Sequence, residues 1–229
     1  ADQAVIAIEN VRLFNELQKR NAEISEALEQ RTATSDILRV IAESPTDIQP
    51  VMDVIAEHAY RLCNGRFASV YRTDGQLVYE VATRNFTQQG LEQSRSAYPR
   101  PLANDSSVSS RAILERKVLN LPDVLNDFSL PELTRQYARA NNFNSLLVVP
   151  LLRDQEAIGS IGVARRETGA FSDKQVSLLQ TFAAQAVIAI ENVRLFNETQ
   201  RLLKDTEQRA AELSIIKTDG VTTYTPGVS

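Results

Sequence analysis

A serine-rich stretch, Asp105–Arg111 (DSSVSSR), carries the side chains best suited to binding a small anion. If a helix begins within it, the unpaired N–H groups of the first turn and the serine hydroxyls together attract an anion. The candidate ligand-binding residues here are Ser106, Ser107, Ser109 and Arg111. The alternative is structural, because Asp105 or Ser106 can serve only to cap the helix.

Other candidates for the same pocket lie near the ends of predicted elements. They are Tyr71, Arg84 and Phe86 around the first predicted hairpin, Arg100 in the polar stretch that follows, and Asp123 and Asn144 further along. Asp123 and Asn144 also have a structural interpretation, since each can hold a loop through backbone hydrogen bonds. Gly159 and Gly162 leave room for a ligand or for a packed neighbour, and packing is the simpler interpretation.

Side chains able to perform catalysis are scarce. Cys63 is the only cysteine and His58 the only histidine. One cysteine excludes an intrachain disulfide and a metal site built from cysteines. Since neither a nucleophile paired with a base nor a cluster of metal ligands is evident, the sequence predicts a non-catalytic chain without a metal site.

The composition is that of an ordinary globular protein. The 229 residues are 43% hydrophobic and 24% charged, with a net charge of −4. This balance excludes a disordered chain, and the lack of a basic field argues against a nucleic-acid partner. Neither a run of 18 apolar residues nor a signal peptide occurs, so we expect a cytoplasmic protein without direct membrane insertion.

A repeat divides the chain. Gln3–Glu16 and Gln185–Glu198 both read QAVIAIENVRLFNE, at an offset of 182 residues. Identity of this length indicates a tandem array. The predicted parts are the end of a preceding repeat (1–16), a coiled-coil linker helix (17–45), a domain (46–198), a second linker helix (199–217) and a flexible tail (218–229).

Both linkers have the pattern of dimerising helices. Apolar residues recur at steps of seven and four, without Gly or Pro between residues 15 and 43. The predicted dimer residues are Leu17, Ile24, Leu28, Leu38, Val187, Leu195 and Leu202. The alternative is a pair of helices without partners, but such long stripes would leave much apolar surface in water. We therefore expect a homodimer through parallel helices.

The middle of the chain predicts an antiparallel sheet. Strands are expected at 67–72, 76–83, 118–121, 145–153 and 157–165, and helices at 47–63, 106–116, 131–141 and from the capping box 172–175 onward. Residues 85–105 are a long polar stretch with Pro99 and Pro101, to which no helix or strand is assigned. This order predicts an α+β fold, with terminal helices on one face of the sheet and a helical or loop insert over a pocket on the other.

Several stretches resemble a GAF domain of the kind found in bacterial multidomain sensor kinases. They are 32–47 (TATSDILRVIAESPTD), 61–72 (RLCNGRFASVYR), 109–124 (SSRAILERKVLNLPDV), 143–167 (FNSLLVVPLLRDQEAIGSIGVARRE) and 171–198 (FSDKQVSLLQTFAAQAVIAIENVRLFNE). The resemblance implies a central antiparallel sheet, a ligand pocket on one face and dimerisation through the terminal helices. It also implies a parent chain that ends in a histidine kinase or, less often, a nucleotide cyclase.

The chemistries that the resemblance suggests need residues that this chain lacks or places poorly. A bilin needs a pocket cysteine, commonly followed by histidine, whereas Cys63 is followed by Asn64. A haem needs an axial ligand, and His58 is the only histidine. A methionine-sulfoxide reductase needs paired redox cysteines, an iron sensor needs clustered ligands, and a cyclic-nucleotide site needs a lysine that Asn141-Asn142-Phe143 lacks. Bilin, haem and iron are disfavoured, and no cofactor is expected.

The sequence therefore predicts a sensor module that binds an unidentified small molecule. Binding would act through dimeric helices on a C-terminal histidine kinase. Two alternatives stay open: a ligand-free repeat that only dimerises and spaces other domains, and a module that regulates a nucleotide cyclase.

Overall fold

The computed structural model describes residues 2–103 and 107–219, without the side chains of residues 2–8, 26, 133 and 211–219. Its elements are α1 (Asp2–Glu43), α2 (Gln49–Leu62), β1 (Phe67–Thr73), β2 (Leu77–Arg84), α3 (Gln88–Ala97), β3 (Arg100–Pro101), α4 (Val108–Glu115), β4 (Leu119–Leu121), α5 (Glu132–Asn141), β5 (Ser145–Arg153), β6 (Glu156–Arg165) and α6 (Asp173–Asp219). All six strands form one antiparallel sheet in the order β3-β2-β1-β6-β5-β4. The predicted α+β fold is confirmed.

Two tight turns fix the register of the central hairpins. Asp74 closes the β1–β2 turn, where its carboxylate accepts hydrogen bonds from the N–H groups of Gln76 and Leu77 and from the Tyr79 hydroxyl. The bond from Leu77 contributes most to lowering the pKa of Asp74 to about 2. Asp154 and Gln155 join β5 to β6 with φ values of 45° and 71°, the left-handed backbone that two-residue hairpin turns need.

Helices cover one face of the sheet and enclose the main core. Alternate residues of the strands, such as Leu147 on β5 and Ile161 on β6, pack against Ile55 of α2 and Phe182 of α6. The end of α1 joins this layer, because Ile37 is fully buried in the same core. The last third of the predicted linker helix is therefore packed on the domain.

The long C-terminal helix begins as predicted. Ser172 and Gln175 form the capping box, in which the Ser172 hydroxyl accepts from the Gln175 N–H and the Gln175 side chain accepts from the Ser172 N–H. Its segment Asp173–Ala210 is long and apolar enough to cross a membrane by length and composition. That property is weak evidence, since core helices share it and part of this segment is buried in the domain. The helix continues to Asp219, whereas residues 220–229 of the predicted tail lie outside the described residues.

The long polar stretch, to which the sequence assigned no element, contains a helix, α3, and a short strand, β3. The Thr87 hydroxyl caps α3 by accepting a hydrogen bond from the Gly90 N–H at 3.0 Å. The residues that α3 buries are Gly90 and Ser94, which are small and not strongly apolar. Hydropathy alone therefore gives no helical pattern here, which is why the sequence predicted neither α3 nor β3.

Candidate ligand-binding site

A cavity of about 390 Å³ lies between the sheet and the helices of its second face. Its floor consists of residues from β1, β5 and β6, and its walls come from the ends of α3 and α4 and from one side of α5. The described lining residues are Phe67, Ser69, Tyr71, Gln93, Ser96, Ala97, Tyr98, Arg100, Ser107, Val108, Ser109, Thr134, Gln136, Tyr137, Ala140, Phe143, Leu146, Val148 and Gly162. The volume falls within the range of small-molecule sites, about 300–1,000 Å³.

Two glycines on β6 have different roles. A Cβ atom at Gly159 would lie 2.1 Å from the carbonyl oxygen of Tyr71 on the paired strand, so this glycine is required for close strand packing. A Cβ atom at Gly162 would meet nothing nearer than 3.8 Å, and this glycine lines the cavity floor. The packing interpretation therefore holds for Gly159, whereas Gly162 leaves space for a ligand.

Two polar side chains of the lining have buried atoms without hydrogen-bond partners. The Ser69 hydroxyl belongs to a residue only 2% exposed, and it lies beside Tyr71 and Glu80 without a hydrogen bond of normal geometry. The Nε of Arg100 is also buried and unpaired. Each such group costs about 1–3 kcal/mol when left unsatisfied, and a polar ligand bound in the cavity would remove that cost by hydrogen bonding to it.

The tyrosines of the cavity are held in their neutral form. Burial raises the pKa of Tyr71, Tyr98 and Tyr137 above the ordinary value. Burial also raises the pKa of Glu80, which accepts a hydrogen bond from the Ser94 hydroxyl on α3. At neutral pH the cavity therefore presents phenolic O–H groups and no phenolate charge.

The predicted anion stretch is only partly in the cavity. Ser107 is the N-cap of α4, because its hydroxyl accepts from the Ser110 N–H at 3.0 Å. Asp105 and Ser106, the caps that the sequence suggested, lie outside the described residues. Ser107 and Ser109 line the cavity. Arg111 was predicted to bind the ligand, but it is not among the described residues that line the cavity. Its Nε instead forms an ion pair of 2.8 Å with Glu115, one helical turn later.

Of the other predicted ligand residues, the structure brings Tyr71 and Arg100 to the cavity. Arg84 instead forms an ion pair of 3.2 Å with Glu57 of α2, on the face covered by the terminal helices. Phe86 packs on Phe67, with ring centroids 4.4 Å apart, and stays out of the lining.

Asp123 and Asn144 have the structural roles that the sequence left open. Asp123 accepts hydrogen bonds from the backbone and side chain of Asn126. Asn144 donates its side-chain amide to the Arg166 carbonyl at 2.6 Å, and its own carbonyl accepts from the Val124 N–H at 2.7 Å. Both side chains are used to hold loops at the edge of the sheet.

No pattern in the sequence predicted several of the residues that line the cavity. Tyr98 and Gln93 lie in or directly after α3, the helix that was not predicted, and Tyr137 lies on the inner side of α5. Ser69 was detectable in principle, because it alternates with Phe67 and Tyr71 on β1 and must share their face of the sheet.

Comparison with known proteins identifies the fold family. The family model described as "GAF domain" matches residues 47–190, well over half of the chain. The chain belongs to the GAF domain family. GAF domains are signalling and sensor modules, and the resemblance seen in the sequence is confirmed at this level. A comparison with curated proteins gives no match.

Solved GAF structures are similar to this chain in fold, at low identity. The GAF domain of a phosphoenolpyruvate-protein phosphotransferase from Coxiella burnetii has a TM-score of 0.62 at 12% identity, over 75% of this chain and 98% of that one. Residues 122 to 287 of a methyl-accepting chemotaxis protein give 0.56 at 23%, over 72% and 98%. A domain assigned to a two-component sensor histidine kinase of Sinorhizobium meliloti 1021 gives 0.55 at 15%, over 67% and 97%.

The lone cysteine and histidine of this GAF domain are both on the helical face, away from the cavity lining. Cys63 is fully buried, and burial raises its pKa to about 12, which disfavours the reactive thiolate form at neutral pH. His58 lies 3.7 Å from Asp36 of α1, and burial lowers its pKa. Within residues 2–103 and 107–219, no group of three or more His, Cys, Asp or Glu is placed to hold a metal ion.

The two long helices of the GAF domain expose rows of apolar side chains. The exposed residues among those predicted for the dimer are Leu17, Ile24, Leu28, Leu38, Leu195 and Leu202, at 49–65% exposure. Val187 differs, because it packs against the main core. A step of seven residues back from Leu195 reaches Ile188 instead, and this residue is 49% exposed.

One ion pair ties the sheet to α6 where that helix leaves the domain. Arg153, the last residue of β5, donates to the Glu191 carboxylate at 2.8 Å. Arg194 also pairs with Glu191, at 3.0 Å, and extends to Glu198 one turn further. Glu191 and Arg194 belong to the repeated motif, whose first copy has the corresponding pair Glu9–Arg12.

Proposed function

We propose that this GAF domain is a sensor module that binds a small molecule and regulates a C-terminal histidine kinase. The observation that carries the proposal is the cavity of about 390 Å³, whose lining includes buried polar atoms that lack partners. Its position supports it further, because strands of the cavity floor continue into contacts with α6. The family and the neighbours from chemotaxis and sensor kinase proteins fit this class of function.

The route from cavity to helix follows β5. Leu146 and Val148 line the cavity, and five residues beyond Val148 the strand ends at Arg153, which holds Glu191 of α6. A ligand that shifts β5 or the helices above it would move this ion pair. Since helices at interfaces respond by small shifts or rotations, the change would pass along α6 to the next domain.

In this proposal the module acts as a parallel homodimer. The exposed rows on α1 and α6 would pair with those of a second copy, because side chains such as Leu195 and Leu202 are otherwise left in water. The two copies of the repeated motif have the same sequence, so the equivalent helices of successive domains in a tandem array would present the same apolar row to a partner.

The rest of the proposal concerns what the module does not do. We place it in the cytoplasm as a non-catalytic unit that needs no bilin, haem or iron and makes no contact with nucleic acid or membrane. The repeated motif favours one competitor, a spacer without a ligand, since arrays can duplicate spacers. A nucleotide cyclase as the output is the other.

A thermal-shift screen tests binding directly. Wild type and Gly162→Leu are heated with metabolites, nucleotides and inorganic anions in turn. We expect at least one compound to raise the Tm of wild type by several degrees, because a ligand bound only by the folded state stabilises it. The same compound should leave the Tm of Gly162→Leu unchanged, since the leucine side chain occupies the cavity floor.

Gly162→Ala is the matched control for this screen. Its added methyl group has space, so it should keep most of the response. If no compound stabilises the wild type, the spacer interpretation replaces the sensor interpretation. If a compound stabilises wild type and Gly162→Leu equally, it binds elsewhere and the cavity is not the sensor site.

A further inference from the structure

The cavity has aromatic side chains on several sides. Phe67 and Tyr71 come from β1, Tyr98 follows α3, Tyr137 lies on α5 and Phe143 follows it. Phe67 and Phe143 meet edge to face at 5.4 Å, and Tyr71 lies 5.1 Å from Tyr98. Aromatic rings in such arrangements favour planar aromatic ligands, which they contact by offset stacking and by their edges.

One positive charge faces this aromatic space. Arg100 is the only charged side chain among the described residues that line the cavity. Its guanidinium lies 5.8 Å from the Tyr98 ring centroid, its Nε is buried without a hydrogen-bond partner, and no described carboxylate forms an ion pair with it. A guanidinium in this state is matched best by a planar carboxylate, which accepts two parallel hydrogen bonds.

The start of α4 adds to the same electrostatic preference. Its N-cap, Ser107, and the first two residues of the helix, Val108 and Ser109, line the cavity. The N-terminal end of a helix carries a partial positive charge of about half a unit, which favours an anion beside it. One arginine and one helix end suit a ligand with a single negative charge better than a phosphate dianion.

We propose that the ligand is a planar aromatic carboxylic acid of one or two rings. This proposal rests on the proposed sensor function. The ring would lie among Phe67, Tyr98 and Phe143, and the carboxylate would pair with Arg100. The Ser69 hydroxyl at the cavity floor gives the same ligand a place for one ring hydroxyl or amine.

Calorimetry with three matched probes tests the ligand class. The probes are 2-naphthoate, its neutral counterpart 2-naphthamide, and decahydro-2-naphthoate, which keeps the charge but has no planar ring. We expect wild type to bind 2-naphthoate at least ten times more tightly than either of the others. Arg100→Gln should bind the acid only as weakly as the amide, Arg100→Lys should fall between, and Gly162→Leu should bind none.

The outcomes separate the ligand class from the sensor function. Equal binding of acid and amide, or an acid affinity that Arg100→Gln leaves unchanged, overturns the role of the charge. Equal binding of the planar and saturated acids overturns the aromatic requirement. A third outcome is that none of the three probes binds, while another compound in the thermal screen stabilises wild type but not Gly162→Leu. The ligand class is then wrong and the sensor function stands. If nothing binds in either experiment, both fail.

Discussion

The double variant Leu195→Glu, Leu202→Glu is expected to be a monomer in solution. In the single chain these leucines are 50% and 60% exposed, one heptad apart on α6. In a parallel dimer each glutamate would face the same residue of the partner, so two like charges would be taken out of water at each level. Sedimentation should give a mass of 25.5 kDa for the variant and twice that for the wild type.

A control with the same change of charge shows whether position matters. Gln200→Glu and Gln208→Glu also add two negative charges to exposed sites of α6, but they lie off the row formed by Leu195 and Leu202. This control should remain dimeric. A dimer that survives the leucine substitutions, or a wild type that is already monomeric, contradicts the proposed helix interface.

Gly159→Ala is expected to destabilise the domain strongly. The new Cβ atom would lie 2.1 Å from the Tyr71 carbonyl oxygen. The backbone of β6 fixes the position of the Cβ atom and the oxygen belongs to the backbone of the paired strand β1, so neither atom can move away by a side-chain rotation. Overpacking of this kind costs about 3 kcal/mol. For a domain of this size the Tm should fall by roughly 6–12 °C.

Gly162→Ala, three residues later on the same strand, is the matched control for Gly159→Ala. Its Cβ atom meets nothing nearer than 3.8 Å, so the free energy of unfolding should change by no more than about 1 kcal/mol. Urea unfolding of the two variants at equal protein concentration measures the difference. If the two variants are equally stable, the contact between the new Cβ atom and β1 is relieved without loss of stability, and the prediction for Gly159→Ala is contradicted.

The parts of the fold that the sequence predicts well are those with a simple physical signal. Turn residues such as Asp74 and Asp154 separate runs of alternating hydrophobicity, and the capping box at Ser172 begins a helix with a strong apolar stripe. Helix α3 has no such stripe, because it packs through Gly90 and Ser94. Its contribution to the cavity, including Gln93, was therefore not predicted.

The candidate site was harder to predict than the fold because it depends on contacts between distant segments. Arg84 and Arg111 are both plausible charges for an anion, yet each finds a nearby glutamate, Glu57 and Glu115. Arg100 has no such partner among the described residues and turns to the cavity. Similarly, only the helix packing distinguishes Val187, on the core side, from Ile188, on the exposed side.

Pulsed electron paramagnetic resonance across the dimer tests most directly whether cavity occupancy reaches α6. A Lys204→Cys variant carries one spin label per chain on the exposed side of α6, and buried Cys63 stays unlabelled. The compound with the largest thermal shift should change the distance between the two labels by about 2 Å or more in this variant. With Gly162→Leu added, the distance should not change. A distance that stays the same while calorimetry shows the compound bound would contradict the sensor function.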